Sequence, residues 1–227
     1  MSLIGRVRRY YEDNLSIGDR LGEAVYAVWM VTASIGLLNT GRPITPDHVM
    51  SVIAIALAVN FVWGAIDGIT VMLTNTTDRA RLDLLVFDLR TSPTDTALRA
   101  RADDELDDTF AGYLNEADRA RVIDMVAAAP PGPDPRARKV SPGRADWLYA
   151  LAIICIDVGL ALPVLLPLLI FHDFETAILI SRIVATYIFA ALGAMYARQL
   201  RRNPWIAAVL LGAFGHTLFV SFYEAGW

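Results

Sequence analysis

The chain has 227 residues, of which 55% are hydrophobic and 19% are charged, and its formal net charge is −4. Soluble domains usually carry about 45–50% apolar residues and about 25% charged residues, so this composition favours a membrane protein. The negative charge gives no indication of nucleic-acid binding. A single cysteine, Cys155, excludes an intramolecular disulfide and a cysteine-based metal cluster within one chain.

Five apolar stretches approach the length of about 20 residues that a membrane-spanning helix needs. They predict an all-α polytopic membrane protein with five transmembrane helices and a small helical cytoplasmic insert between helices two and three. No strand pattern or internal repeat is present. In chain order, the predicted spans are Leu21–Leu38, Val49–Thr74, Trp147–Phe171, Ala177–Ala197 and Trp205–Tyr223.

The predicted organisation has four parts. Residues 1–20 form a cytoplasmic N-terminal segment, which lacks the apolar core of a cleavable signal peptide. Residues 21–77 contain transmembrane helices one and two, and residues 146–227 contain helices three to five. Between them, residues 78–145 form the cytoplasmic helical insert and a Pro-rich linker.

The distribution of arginine and lysine predicts the orientation. Eighteen of the 20 basic residues lie in the N-terminal segment, in the insert or in the turn after helix four. Basic residues accumulate on the cytoplasmic side of a membrane, so the N-terminus is predicted inside and the C-terminus outside. The expected location is a bacterial inner membrane.

The insert is predicted to be helical. The stretch Asp78–Arg90 contains no helix breaker, so it is expected to continue helix two out of the membrane. Thr91 or Ser92 is expected to cap a following helix, and Asn115 a second one. The segment Pro130–Arg144 contains five of the 11 prolines and is predicted to be a mobile linker to helix three.

Polar residues form a stripe along the second span. Asn60, Asp67, Thr74 and Asp78 follow one another at spacings of seven, seven and four residues, which places them on one helix face. A charged group in lipid is costly, so this face is expected to contact protein or a water-filled path. Asp67 lies between two glycines, Gly64 and Gly68, which allow another helix to approach closely.

The first span carries Glu23 and, seven residues later, Met30. If these residues face Asn60 and Asp67, the four side chains offer carboxylate, amide and thioether ligands. Such ligands suit a divalent first-row metal ion. The alternative is that Glu23 is solvated at the cytoplasmic boundary and that Met30 only packs.

The last three spans carry further polar groups. Asp157 in helix three and Arg182 in helix four lie at depths that predict an internal salt bridge. His216 stands alone among small residues and is expected to pack rather than to bind a ligand. Pro163 and Pro167 are expected to kink helix three.

These features together resemble the vacuolar iron transporter family. The stretch "ALPVLLPLLIF" is similar to that family's Pro-rich third span, and "AALGAMYARQLRRNPWIAAVLLGAFGHTLFV" to its turn and Gly-containing last span. "GAIDGITVMLTNTTDRAR" lies where the family has an acidic stretch, which places Asp67 at the acidic position. "DRLGEAVYAVWMVTASIGLL" resembles the first span of a divergent bacterial branch, although Glu23 and Ala24 replace the family's Asp-Gly pair.

The resemblance implies a homodimer in which the first two spans line a path for Fe²⁺ or Mn²⁺ that is exchanged against protons. Poorly solvated carboxylates bind protons as well as cations, so the two ions can compete for Asp67 and Glu23. The family's insert is a glutamate-rich metal-binding bundle. Here the acidic stretch is "ADDELDD", in which residues four apart share a helical face: Asp103 with Asp107, and Asp104 with Asp108. Each pair offers carboxylate ligands for a hard cation. The alternative is that these residues form a solvated acidic surface.

The predicted function is therefore proton-coupled transport of Fe²⁺ or Mn²⁺, with no permanently bound cofactor. Expected partners are membrane lipid, the divalent ion and a second copy of the chain, but not nucleic acid. An enzyme is not expected, because no nucleophile–base pair or His-rich metal motif is present. The alternative is a non-enzymatic membrane scaffold or metal-sensing protein whose cytoplasmic helices bind a partner.

Overall fold

A computed structural model of the chain describes residues 15–38, 48–107 and 109–224. These residues form helices and their connections, with no strand among them. Two short 3₁₀ helices lie at Phe110–Tyr113 and Pro135–Ala137. The α-helices are α1 (Ile17–Leu38), α2 (Val49–Thr91), α3 (Thr96–Asp107), α4 (Glu116–Ala128), α5 (Arg144–Ile170), α6 (Phe174–Gln199) and α7 (Pro204–Glu224).

Five of these helices, α1, α2, α5, α6 and α7, are long and apolar enough to cross a membrane. They overlap the five predicted spans, so the all-α class and the presence of five helices long and apolar enough to cross a membrane are confirmed. The prediction that helix two continues past its apolar stretch is also confirmed, because α2 runs without interruption for 43 residues. These helices fit an integral membrane protein.

The chain divides into two compact units. The first comprises residues 1–71 and 147–227, and the second comprises residues 72–146. The core of the first unit is apolar, while large apolar side chains such as Phe61, Ile66 and Leu166 remain exposed on its outside, as expected for contact with lipid. All five long helices contribute to this core, whose buried members include Val28, Ile35, Ala56, Leu165, Phe189 and Phe219.

Small residues let α6 and α7 approach closely. A Cβ atom on Gly193 would lie 2.5 Å from the carbonyl oxygen of Ala207, and one on Gly215 would overlap the ring of Phe189. Contacts of this kind are typical of helix packing in membranes, where backbones approach through glycine. The same mode of packing recurs at the candidate site described below.

Side chains cap the ends of two membrane-crossing helices. At the start of α1, the Ser16 hydroxyl accepts from the Asp19 N–H at 3.1 Å, and the Asp19 carboxylate accepts from the Ser16 N–H at 3.2 Å. At the start of α6, Asp173 accepts from the backbone N–H of Thr176 at 2.9 Å and also from its hydroxyl. Both arrangements satisfy backbone donors that have no partner within the helix.

The second unit consists of the C-terminal half of α2 with α3 and α4. Asn115 caps α4 by accepting from the Asp118 N–H at 2.9 Å, as predicted. The prediction of a cap at Thr91 or Ser92 is wrong, because α2 extends to Thr91. Instead, Asp95 accepts from the first-turn amides of α3, since its carboxylate lies next to two free N–H groups.

The Pro-rich linker forms ion pairs with α2. Arg136 donates two hydrogen bonds of 2.8 Å to Asp88 on α2, and its guanidinium lies 5.8 Å from the ring centre of Phe87. Arg138 pairs with Asp83, which lies on α2 about one and a half turns before Asp88. The sequence does not predict these long-range partners, and the mobility of the linker stays a prediction.

Candidate cation site

Four polar residues of the first unit lie on neighbouring faces of three helices. Glu23 comes from α1, Asn60 and Asp67 from α2, and Asp157 from α5. Asn60 and Asp157 are completely buried, with 0% of each side chain exposed. Glu23 and Asp67 are half-buried. Glu23, Asn60 and Asp67 belong to the predicted set of metal ligands, and the structure adds Asp157 to them.

Glycine on α2 creates the space for Asp157. A Cβ atom on Gly64 would lie 2.5 Å from Oδ2 of Asp157, and one on Gly68 would lie 2.9 Å from the Cα atom of Ala150. The two glycines therefore let α5 lie directly against α2, which identifies the helix whose close approach the sequence predicted. As a result, the Asp157 carboxylate is enclosed between the two helices.

The buried oxygens of this cluster lack hydrogen-bond donors. Both carboxylate oxygens of Asp157, Oε2 of Glu23 and Oδ1 of Asn60 are buried without a partner. The amide nitrogen of Asn60 is already used, since it donates to the carbonyl of Ala56 at 3.0 Å. Buried acceptors without donors are costly, so four of them together call for a cation or for protons.

The acidic groups also repel one another. The charge of Glu23 interacts with those of Asp67 and Asp19, and the charge of Asp157 interacts with those of Glu23 and Asp67. No basic side chain of the described residues pairs with Asp157 or Glu23 in an ion pair shown by the structure. A positive ion or a proton between these carboxylates would relieve the repulsion.

The cluster is not a finished metal coordination shell. In residues 15–38, 48–107 and 109–224, no three histidine, cysteine, aspartate or glutamate side chains come close enough to hold a metal ion. Met30, the fourth predicted ligand, is half-buried on α1 two turns beyond Glu23. A divalent ion would therefore require water ligands or a closer approach of the helices.

The predicted salt bridge between Asp157 and Arg182 is wrong, because neither oxygen of Asp157 has a partner. Asp157 lies thirteen residues from the end of α5, whereas Arg182 lies eight residues from the adjoining start of α6. At 1.5 Å per residue, their depths differ by about 7–8 Å. Arg182 instead lines a cavity of about 320 Å³ together with Glu175 and Glu224.

The positions of Gly64 and Asp157 can be compared by counting from the other ends of their helices. Counted from the ends of the apolar stretches that border residues 72–146, Gly64 and Asp157 lie at similar depth. Equal depth allows a contact between these residues, but the sequence does not show that α5 packs against α2.

The acidic residues predicted in the insert belong to the second unit and have other partners. Asp103 pairs with Arg119 of α4, with 3.0 Å between Oδ1 and Nε, and Asp107 pairs with the same guanidinium. Asp104 is exposed. Asp108 lies outside the described residues. Two of the four carboxylates are thus neutralised by a basic side chain of the chain itself.

Comparisons with protein-family models, with curated proteins and with solved structures give no match to this chain. Its function is therefore inferred from the site itself. The buried oxygens of Glu23, Asn60 and Asp157 lie on helices long enough to cross a membrane, and protons or a hydrated cation would satisfy them.

Proposed function

We propose that the chain transports a divalent first-row metal ion, Fe²⁺ or Mn²⁺, across a membrane in exchange for protons. The observation that carries this proposal is the set of four buried oxygens without donors, contributed by Glu23, Asn60 and Asp157. Asp67 adds a half-buried carboxylate beside them. Oxygen ligands of this kind suit Fe²⁺ and Mn²⁺.

Proton exchange follows from the environment of the carboxylates. An isolated buried charge is unfavourable, so a carboxylate that has lost its cation takes up a proton instead. Metal and proton then alternate at Glu23, Asp67 and Asp157. This alternation is the chemical basis of an antiporter.

A second copy of the chain completes the path in this proposal. Thr70 and Thr74 lie near Asp67 on α2 and are exposed in the single chain. Polar groups and a half-buried carboxylate facing lipid would be unfavourable, and a partner helix would cover them. This requirement supports a homodimer whose α1 and α2 helices line the path.

The proposed relationship is to the vacuolar iron transporter family, as a divergent bacterial-type member. It is supported by the order of elements, in which two membrane-crossing helices precede a helical segment and three more follow it. The proposed orientation places residues 72–146 and the N-terminus in the cytoplasm, because 18 of 20 basic residues fall on that side. A protease site inserted at Gly132 should be cleaved only from the cytoplasmic side of inner-membrane vesicles, and external cleavage would contradict the orientation.

The test is metal flux into liposomes that contain the purified chain. We expect Fe²⁺ or Mn²⁺ to enter when a proton gradient is imposed, and Asp67→Asn to abolish this flux while folding and dimer formation persist. Glu175→Gln serves as the matched control, because it removes an exposed carboxylate at the start of α6, outside the cluster. Asp67→Asn protein that transports at the parent rate would contradict the proposal.

One observation favours the alternative, a membrane scaffold or metal sensor that binds a partner. Phe110 and Tyr113, in the 3₁₀ helix of the second unit, are 87% and 95% exposed. Exposed aromatic residues are common where proteins bind one another. A parent protein with no flux for any of Fe²⁺, Mn²⁺, Co²⁺ and Zn²⁺ would favour this alternative, whereas normal flux in a Phe110→Ser, Tyr113→Ser variant would show that the patch is separate from transport.

A further inference from the structure

The second unit contains a basic pocket that the proposed transport does not use. Arg79 of α2 and Arg138 and Lys139 of the Pro-rich linker line a cavity of about 360 Å³. Ser141 and Asp83 also contribute to its wall, together with Leu82 and Val140. Three cationic side chains thus surround one cavity, and one acidic side chain accompanies them.

Ion pairs hold the two guanidinium groups of the pocket in place. Arg79 donates to both oxygens of Asp146, at 2.8 and 2.6 Å. Asp146 is only 4% exposed and also accepts from the Gly143 N–H at 2.6 Å, so this contact is fixed. Arg138 is positioned by Asp83.

The pocket keeps donors and positive charge after these pairs are counted. A guanidinium has five N–H donors, and Asp146 accepts from two nitrogen atoms of Arg79. Asp83 and Asp146 offset two of the three positive charges, which leaves a net charge of one. Lys139 is exposed, and Ser141 adds a neutral hydroxyl donor. The pocket therefore favours an anion with several acceptor oxygens.

Arg79 of the pocket and its partner Asp146 lie close, along the chain, to the ends of two apolar stretches. Asp146 directly precedes Trp147, the first apolar residue of the α5 stretch, and Arg79 follows Thr74 by five residues. A helix rises about 1.5 Å per residue, so these positions fall at the level of lipid headgroups. Basic pockets at this level are known to bind lipid phosphates.

We propose that this pocket binds a phosphate group, carried by an anionic lipid headgroup or by a soluble phosphate ester. Arginine forks match the paired oxygens of phosphate, and lysine adds a point charge. Arg79 and Arg138 supply the forks, and Lys139 supplies the point charge. A headgroup bound here would link α2 to the linker that leads into α5.

The experiment measures binding to the purified full-length chain in detergent, by native mass spectrometry and by thermal unfolding. The probes are phosphatidylglycerol, glycerol 3-phosphate and a diacylglycerol with the same acyl chains but no phosphate. We expect phosphatidylglycerol to bind and to raise the melting temperature, and diacylglycerol to do neither. Equal binding of glycerol 3-phosphate would assign the pocket to a soluble phosphate ester, and also supports the proposal.

The variant Arg138→Gln, Lys139→Gln should bind the phosphate probe at least tenfold more weakly, since it removes two of the three cationic side chains that line the cavity. The control Arg101→Gln, Arg121→Gln removes two charges from exposed positions of the same unit and should bind like the parent. If the double variant does not fold, Lys139→Gln alone provides the comparison. Binding of diacylglycerol equal to that of phosphatidylglycerol, no binding of either phosphate probe, or unchanged binding by the pocket variant would overturn the proposal.

Discussion

The absence of a side chain at Gly64 on α2 creates the space in which the Asp157 carboxylate of α5 is buried. A Cβ atom on Gly64 would lie 2.5 Å from Oδ2 of Asp157 and 3.0 Å from the Cα atom of Ile154. The first contact could be relieved by turning a side chain, but the second involves backbone. Any larger residue at position 64 must therefore push the two helices apart.

Gly64→Ala should consequently lower the free energy of unfolding by about 1–3 kcal/mol, the usual range for overpacking a tight contact. Gly159→Ala is the matched control, because it adds the same methyl group to α5 at a position with nothing within 4 Å. Alanine is also the better helix former, so the control should be at least as stable as the parent. The measurement is reversible unfolding in mixed detergent micelles, and equal stabilities of the two variants would show that α2 and α5 do not touch at Gly64.

Asp157→Asn should change stability and transport in opposite directions. It removes a buried charge and adds N–H donors to a cluster whose carboxylate and amide oxygens have none. We expect the variant to be more stable than the parent by about 1–3 kcal/mol, which is the cost of leaving buried polar groups unpaired. We also expect it to lose metal flux. Detergent melts and liposome flux measure the two effects, and a variant that is less stable yet fully active would contradict this role for Asp157.

Arg119 should limit metal binding by the second unit. It is 18% exposed and pairs with both Asp103 and Asp107, so a cation must compete with its guanidinium for these carboxylates. In the variant Arg119→Gln the two aspartates lose their counter-charge, and we expect the affinity for Mn²⁺ to rise. Calorimetric titration in a background of Asp67→Asn isolates this site, and Arg101→Gln is the charge-matched control. Equal Mn²⁺ affinity in both variants would mean that Asp103 and Asp107 are not metal ligands.

The cap of α6 should make stability depend on pH in the acidic range. Hydrogen bonds from the hydroxyl and the backbone N–H of Thr176 lower the pKa of Asp173 below its usual value near 3.8. A lowered pKa means that the stabilising effect is complete above pH 4 and is lost as the pH falls through the lowered value. The melting temperature of the parent should exceed that of Asp173→Ala at pH 7, and this difference should shrink at pH 3.

Asp173→Asn is the control for that measurement. Its amide oxygen can still accept from the Thr176 N–H, but it does not titrate. The difference between Asp173→Asn and Asp173→Ala should therefore stay constant from pH 7 to pH 3. A parent that behaves like Asp173→Asn over this range would show that the charge of Asp173 has no part in the cap.

The sequence predicts those features of the fold that depend on local pattern. Apolar length identifies the five membrane-crossing helices, and the lack of a breaker in Asp78–Arg90 predicts the extension of α2. Long-range partners are different, since nothing near Arg136 in the chain indicates Asp88 as its partner. The same holds at the candidate site, where helical spacing predicts that Asn60 and Asp67 share a face of α2 but does not predict a partner on another helix. The addition of Asp157 required knowing which helix packs on Gly64.

Two prolines lie inside α5, and one of them weakens the helix close to the site. Pro163 has no N–H, so the carbonyl of Gly159 lacks the donor that a regular helix would provide. Gly159 itself has open space around it and lies two residues from Asp157. We expect α5 to bend at this point and to act as a hinge. Pro163→Ala would restore the missing bond, and it should slow metal turnover in liposomes without weakening equilibrium metal binding, whereas unchanged turnover would argue against the hinge.

A hinge beside a buried carboxylate has a mechanical consequence. Bending α5 at Gly159 changes how the Asp157 end of the helix meets Gly64, while the apolar contacts beyond Pro163 stay in place. The acidic cluster can then widen and narrow through the motion of a single helix, without separation of the bundle. In the proposed transport cycle, the curvature of α5 would govern loading and release of the ion.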